Sequence, residues 1–281
     1  MTSPTHTVSI IIPHWNGVEV ISECLSSIKR SKFSSYEIIV SDNKSTDGSQ
    51  EWIKENHPDI RLIENDKNYG YSGGCNRGAE VAEGEFLLFL NNDTIHDHNW
   101  LEFLVKRLKS NPKIGAVQPK ILNYYDRSLF DYAGGSGGHM DIFCYPFARG
   151  RVYVDQEKDL GQYNNPEQCF WASGTALLIR KKLFFECGKF DELFFAHMEE
   201  IDLCWRIQIM GYEIWVEPSS VVYHKNAVSL PMYSHKKYYL NHRNSLLMLF
   251  SNYSLSLAFY IGIVRWILEI VALGYSLIKL D

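Results

Sequence analysis

Apolar runs at Val8–Pro13, Tyr36–Ser41, Arg61–Glu64, Phe86–Leu90 and Ile114–Gln118 alternate with segments of helical period over the first 120 residues. A strand buried on both faces reads as a continuous apolar run, and a helix shows an apolar stripe recurring every 3–4 residues. The segment from Glu19 to Ser31 carries such a stripe at positions 20, 21, 24, 25 and 28. Strict alternation of the two patterns leaves few folds open: an α/β chain with a mostly parallel central sheet and helices on both faces. Right-handed crossovers then gather the loops after the strands on one edge, where open sheets of this kind bind ligands.

Beyond residue 120 the pattern breaks. Ala133-Gly-Gly-Ser-Gly-Gly138 reads as a flexible stretch among tyrosines at 124, 125, 132, 145 and 153, covering the sheet edge. Strand character returns at Phe170–Arg180 and in two further strands, Tyr212–Val216 and Ser220–Tyr223, the latter followed directly by His224. A helix is expected over Glu199–Met210, stopped by Gly211. From Tyr233 the chain reads as helical, giving a division into residues 1–232 and a C-terminal helical segment, 233–281. Residues 244–264 lack charge but contain Asn244, Asn252 and several serines, which fits a spanning helix poorly. After Ser256 the polar positions Arg265, Glu269, Ser276 and Lys279 fall on one narrow stripe of an otherwise apolar helix. Such a helix lies in a membrane interface or packs on a partner.

Composition removes some functions. A formal charge of −5 argues against nucleic-acid binding. Six cysteines without a C-x-x-C pair suggest buried thiols in a reducing compartment, not a disulfide frame or a zinc site. No basic segment followed by an apolar one marks the N-terminus, so no signal peptide is expected and the chain is placed in the cytoplasm. Nothing in the sequence fixes the oligomeric state, and a homo-oligomer stays open.

Polar constellations punctuate the strand ends. Asp42 follows the second strand and can accept from a nucleobase imide, or serve only as a turn residue. Asn68-Tyr-Gly-Tyr-Ser-Gly-Gly-Cys-Asn-Arg-Gly78 reads as a glycine-rich loop running into a helix, with glycines that admit close backbone approach. Asn91-Asn-Asp-Thr94, straight after the Phe86–Leu90 strand, reads either as a helix-capping turn or as a seat for a hard cation. Asp93 offers a carboxylate oxygen and His224 an imidazole nitrogen, a mixed set suited to Mg²⁺ or Mn²⁺ completed by phosphate oxygens. Glu199, Glu200 and Asp202 follow an apolar lead-in that would raise a carboxylate toward the range of a general base. Asp202 can also pair with Arg206 at helical spacing, and Arg243 suits a diphosphate or an anionic acceptor.

Taken in order, these motifs resemble family 2 glycosyltransferases of GT-A fold, in the bacterial rhamnosyltransferase-like group. The likeness rests on Val8–Gly17, Ser41–Ser49, Asn68–Gly78, Leu90–Asp93, Ala172–Arg180, Glu199–Arg206, Tyr223-His224 and Arg243-Asn244. It implies that Asp42 binds the nucleobase, and Pro13, His14 and Asn16 the nucleoside. Asn68, Gly73, Gly74 and Asn76 would line the nucleotide pocket, and Asn91-Asn92-Asp93 stands where the family has D-x-D. Because the first position is Asn, metal binding would rest on Asp93 with His224. Glu200 stands where the family has the Asp of a Glu-Asp pair, the catalytic base; Glu199 and Asp202 stay open for that role. Trp171, Ser173 and Gly174 would contact donor or acceptor, and Gly134–Gly138 would hinge a lid. The implied reaction is inverting sugar transfer from a nucleoside-diphosphate donor, dTDP-L-rhamnose first and a UDP-hexose or UDP-N-acetylhexosamine second. The implied acceptor is a lipid-linked or growing polysaccharide at the inner face of the membrane. A catalytically inactive nucleotide-sugar-binding scaffold is the competing reading.

Overall fold

A computed structural model describes residues 6–226 and 235–278. In chain order the first half comprises β1 (Val8–His14), α1 (Val18–Lys29), β2 (Tyr36–Asp42), α2 (Ser49–Asn56), β3 (Arg61–Glu64), α3 (Gly70–Val81), β4 (Phe86–Leu90), β5 (Thr94–His96), α4 (Trp100–Ser110) and β6 (Ile114–Asn123). Two small hairpins follow, β7 (Gly138–Met140) with β8 (Pro146–Ala148) and β9 (Arg151–Val152) with β10 (Asp155–Gln156). Then come β11 (Glu167–Cys169), β12 (Ala176–Arg180), α5 (Lys181–Glu186), α6 (Glu199–Ile209), β13 (Glu213–His224), α7 (His235–Asn252) and α8 (Leu255–Ile278).

The central sheet has nine strands in the order β11-β13-β6-β12-β4-β1-β2-β3, with β5 attached to β13. Strands β1, β2, β3, β4, β6 and β13 run one way, so the sheet is mostly parallel, as the alternation predicts. One feature escaped that expectation. β12 runs antiparallel between β4 and β6, with Leu178 opposite both Leu88 and Val117. The two strands expected over 212–223 are one strand, β13. It skips Pro218, Ser219 and Ser220 between the Glu217–Pro119 and Val221–Lys120 pairs. Proline has no N–H to give the ladder, and the bulge takes it out.

Alternate residues of the central strands feed two cores. Ile10, Ile12, Leu88 and Leu90 meet α1 and α4 through Ile21, Leu25, Trp100 and Leu104. Ile11, Leu87 and Phe89 face the opposite way, toward Cys75 and Ala79 of α3, Cys204 and Ile207 of α6, and Met248 and Leu249 of α7. All six cysteines are free and buried, in keeping with the sequence.

The boundary expected at 232/233 lies outside the described residues, as does Lys279. α7 shares a core with the sheet. The two described positions of the polar stripe of α8, Arg265 and Glu269, face the protein. Arg265 is fully buried and donates to the Phe143 carbonyl (2.6 Å), to Ser245 Oγ (2.7 Å) and to Glu269 Oε1 (2.6 Å). Phe259, Tyr260, Trp266, Ile270, Val271 and Leu273 are turned outward. The helical run is interrupted at Tyr253-Ser254, so the polar Asn244–Asn252 stretch belongs to α7. Leu255–Gly274 is by itself long and apolar enough to cross a membrane.

Candidate active site

Antiparallel pairing of β5 with the end of β13 sets His224 opposite Thr94, and therefore beside Asp93. His224 Nε2 lies 3.1 Å from Asp93 Oδ1 and 3.3 Å from Asn91 Nδ2. Its other nitrogen, Nδ1, lies 3.2 Å from Oδ1 of Asp131, a fully buried carboxylate. Asp131 is held in turn by the Ala133 N–H (2.8 Å to Oδ2) and by Asn226 Nδ2. Burial works against a charged His224, but Asp93 and Asp131 outweigh it and raise its pKa well above the ordinary value. Asp131 carries no signal in the sequence, because it sits in an irregular stretch with no periodicity to place it. It completes a carboxylate–histidine arrangement that fixes which imidazole nitrogen faces the site.

Asp93 and a His224 that gives up its Nε2 proton would offer one oxygen and one nitrogen at a sheet edge, a donor set that fits Mg²⁺ or Mn²⁺. Among the described residues no three acidic, histidine or cysteine side chains gather as a complete metal cage. The remaining positions of a bound cation would fall to diphosphate oxygens and water.

The first strand end adjoins this pair. Asn92 Nδ2 is 2.8 Å from Nδ1 of the buried His14, whose Nε2 has no partner. Burial lowers the His14 pKa, with Asp42 pulling the other way. Neutral His14 that accepts at Nδ1 carries its proton on Nε2 and presents a donor. Asn16 Oδ1 accepts from the Thr46 N–H at 2.9 Å, and the Asn16 N–H donates to Ser45 Oγ at 2.8 Å. Pro13 backs onto Gly74. Asp42 is buried. It accepts from the Ser45 N–H (2.8 Å), Ser45 Oγ (2.5 Å) and Gln50 Nε2 (2.5 Å), so a nucleobase would have to share its oxygens.

The carboxylates at the start of α6 part company. Asp202 binds Arg206 (2.6 Å) through Oδ2 and Asn252 Nδ2 (2.7 Å) through Oδ1, a structural role that leaves it ill-suited as a base. Glu199 is buried against Tyr71 and Cys75; burial and then the Glu200 charge raise its pKa well above the usual range. Glu200 is half-buried, its Oε2 without a partner. Burial raises its pKa, while backbone N–H groups, including that of Gly174, pull it down. The Gly174 carbonyl accepts from Tyr71 OH at 2.5 Å, and the Thr175 carbonyl accepts from the Asn91 N–H at 3.0 Å. Residues 173–175 therefore link Glu200 to the Asn91–Asp93 turn.

Several expected contacts fall elsewhere. Trp171 is 5% exposed, its indole donating to the His139 carbonyl at 2.8 Å. A Cβ on Gly138 would sit 1.9 Å from that ring, so Gly134–Gly138 is a buried seat for Trp171 and not a hinge, and Trp171 cannot face a sugar. Ser173 is turned inward too, its Oγ donating to the Ala133 carbonyl at 2.7 Å. Gly73 and Gly74 lie inside α3, and Gly78 brings α3 onto β1: a Cβ there would stand 2.4 Å from Ile11 Cγ2. The loop expected over 68–78 is the first turns of this helix, begun by Asn68 Oδ1 accepting from the Gly70 N–H at 2.8 Å. Asn76 donates to the Phe190 carbonyl (2.9 Å). Arg243 donates to the Leu193 carbonyl (2.7 Å) instead of reaching toward a diphosphate.

Comparison with known proteins identifies the family and the fold. The model of the family described as Glycosyl transferase family 2 matches residues 9–185, more than half of the chain. Poly-beta-1,6-N-acetyl-D-glucosamine synthase of Staphylococcus epidermidis is 26% identical over 219 residues, 76% of this chain and 48% of that protein. N-acetylglucosaminyl-diphospho-decaprenol L-rhamnosyltransferase of Mycobacterium tuberculosis is 26% identical over 204 residues, 67% of this chain and 66% of that protein. The chain thus spans about half the length of the synthase and about two thirds of the rhamnosyltransferase. In fold it is similar to GalNAc-T7 solved with UDP, GalNAc and Mn²⁺ (TM-score 0.68, 18% identity, 88% of this chain and 48% of that one). It is also similar to the mannosyltransferase PcManGT from Pyrobaculum calidifontis solved with GDP-Man and Mn²⁺ (TM-score 0.62, 18% identity, 88% and 65%). The fold is GT-A, and the chain belongs to glycosyl transferase family 2.

Proposed function

We propose that this protein is a metal-dependent, inverting glycosyltransferase of cell-surface polysaccharide synthesis. It transfers a sugar from a nucleoside-diphosphate donor, dTDP-L-rhamnose first, to a hydroxyl of a lipid-linked or growing saccharide. The observation that carries this reading is the Asp93–His224 pair at the sheet edge, linked through Asn91 and residues 173–175 to the half-buried Glu200. Asp93 and His224 Nε2 would hold Mg²⁺ or Mn²⁺, which when bound neutralises charge growing on the leaving diphosphate. Asp131 keeps Nε2 facing that place. His14 and Asn16 flank the nucleoside side. Glu200 Oε2 takes the proton of the acceptor hydroxyl as its oxygen bonds to the anomeric carbon. The bond from that carbon to the diphosphate oxygen breaks on the opposite face, so the configuration inverts.

A UDP-hexose or UDP-N-acetylhexosamine donor is the second reading, favoured by equal identity to the N-acetylglucosamine polymer synthase. An inactive nucleotide-sugar-binding scaffold is the third, favoured by Asn91 at the first D-x-D position. The outward apolar face of α8 supports attachment in the plane of the inner membrane surface, near a lipid-linked acceptor.

The test is calorimetric titration of dTDP, UDP, GDP and ADP with and without Mn²⁺. Tight binding of dTDP or UDP only with Mn²⁺, lost in Asp93→Ala, supports the transferase and selects the donor class. Binding of none by the folded protein refutes it. In Glu200→Gln, nucleotide binding should persist and turnover should vanish; full turnover removes Glu200 as the base.

A further inference from the structure

Glu199 and Glu200 are delivered by an irregular turn. Phe195 (φ 61), His197 (φ 69) and Met198 (φ 73) all adopt positive φ, a region that side-chain-bearing residues rarely occupy. Met198 is the residue on which α6 begins. Backbone held in such conformations persists only where its surroundings over-determine it.

Here the surroundings come from α7 and α3. Asn244 on α7 is fully buried, and its Nδ2 lies 2.9 Å from the Phe194 carbonyl, 2.9 Å from that of Ala196 and 2.7 Å from that of His197. An amide nitrogen carries two hydrogens, so at least one is shared between two carbonyls. The neighbouring Arg243 Nε donates to Asn244 Oδ1 at 2.9 Å, which fixes the amide with its nitrogen toward the turn. Arg243 Nη2 adds bonds to the Leu193 (2.7 Å) and Phe194 (3.1 Å) carbonyls. The Phe195 carbonyl is taken by the Tyr71 N–H (2.7 Å) at the start of α3. A Cβ on Gly70 would lie 2.3 Å from that carbonyl oxygen, so glycine is required there. Every carbonyl from 193 to 197 is thus committed to an outside donor.

We propose that Asn244 is a positioning residue for the reaction: its amide, aligned by Arg243, braces the left-handed turn 195–198 and thereby aims Glu200. The inference rests on Glu200 as the base. The Arg243-Asn244 pair acts on the protein backbone, not on a diphosphate.

The test uses the full chain, with dTDP-L-rhamnose and UDP-N-acetylglucosamine as probes and release of nucleoside diphosphate to water or added saccharide as turnover. A misplacement of about 1 Å costs on the order of 10²-fold in rate. Asn244→Ala should therefore lose about 10²-fold in kcat, with Mn²⁺-dependent binding of dTDP or UDP unchanged. Backbone amides of 195–200 should exchange with deuterium faster. Glycine adopts positive φ at no steric cost. Met198→Gly or His197→Gly in the Asn244→Ala background should therefore recover part of the rate, which restoring a general fold defect would not do. Full turnover in Asn244→Ala, or unchanged exchange over 195–200, overturns the brace. So does a rate loss that neither glycine repairs. Glu200→Gln separates the two claims. If it keeps full turnover, the base assignment fails; if it is inert while Asn244→Ala is fully active, the brace alone fails.

Discussion

Replacing Arg265 by methionine should loosen α8 without unfolding the rest. The guanidinium carries no solvent exposure and bonds the Phe143 carbonyl, Ser245 Oγ and Glu269, with the Tyr145 ring 4.0 Å away. Methionine fills similar volume but leaves these acceptors behind. Ser245 loses little, since its hydroxyl still donates to the His242 carbonyl at 3.0 Å. The Phe143 carbonyl loses a charged donor, at about 1.5–3 kcal/mol. Glu269 keeps His242 (2.5 Å) and is 17% exposed, so its share falls toward about 1 kcal/mol. The cation–π contact adds about 1 kcal/mol, and methionine burial returns a similar amount. The net loss is about 3 kcal/mol, a factor on the order of 10² in local opening. Hydrogen–deuterium exchange of peptides from α8, measured in detergent micelles, should speed up by that factor while β1 and β4 stay protected. Removing both charges in R265M/E269L should restore most of the protection, because an apolar pair replaces a buried ion pair at little cost. Unchanged exchange in R265M, or a double variant as labile as the single, would refute an Arg265 anchor.

Three other outcomes are expected. Burial raises the Glu200 pKa, and the base must be ionised, so kcat/KM should fall as pH drops through a value above the ordinary range of about 4.3; an acid limb at or below that range counts against Glu200. Burial also lowers His96 from 6.5 to about 3, so the folded state refuses a proton that the unfolded chain accepts and stability is lost as pH falls below 6.5. His96 contributes about 1.3 kcal/mol of that loss between pH 7 and 5.5, read in urea titrations as the difference between the wild-type protein and H96Q. Trp266→Glu with Val271→Glu, at positions 68% and 63% exposed, should leave the melting temperature alone and weaken sedimentation with anionic vesicles by roughly tenfold or more; unchanged sedimentation refutes the membrane face.

What the sequence made legible follows from range. Strands such as Ile10–Ile12 and Phe86–Leu90 announce themselves because burial on both faces demands consecutive apolar residues. β12 announces itself as a strand too, but its direction depends on chain ninety positions away, and no local period encodes that. Thr94-Ile-His96 shows no strand signal because three residues are too short to show alternation, yet their pairing with β13 is what brings His224 to Asp93. Glycines at 73, 78, 134, 135, 137 and 138 pack against other parts of the chain, and no local signal separates that from approach to a ligand, since both need the same missing side chain. Trp171, Ser173 and Arg243 looked like ligand contacts by type, and their partners are backbone carbonyls far along the chain. Asp131 and the bracing role of Asn244 had no local signal at all.

The antiparallel β12 also sets an order on how the protein can be made. Until residues 176–180 leave the ribosome, β4 has one bare edge and β6 has two, an apolar template open to other chains. All of β1 to β6 must wait through more than fifty further residues before the gap between them is filled. A fragment ending before Ala176 would contain the Asn91–Asp93 turn and still expose that seam. One ending after Arg180 would close it, and the family match ends at residue 185, just past this strand. The unit that can be inherited intact is the unit whose sheet has no hole.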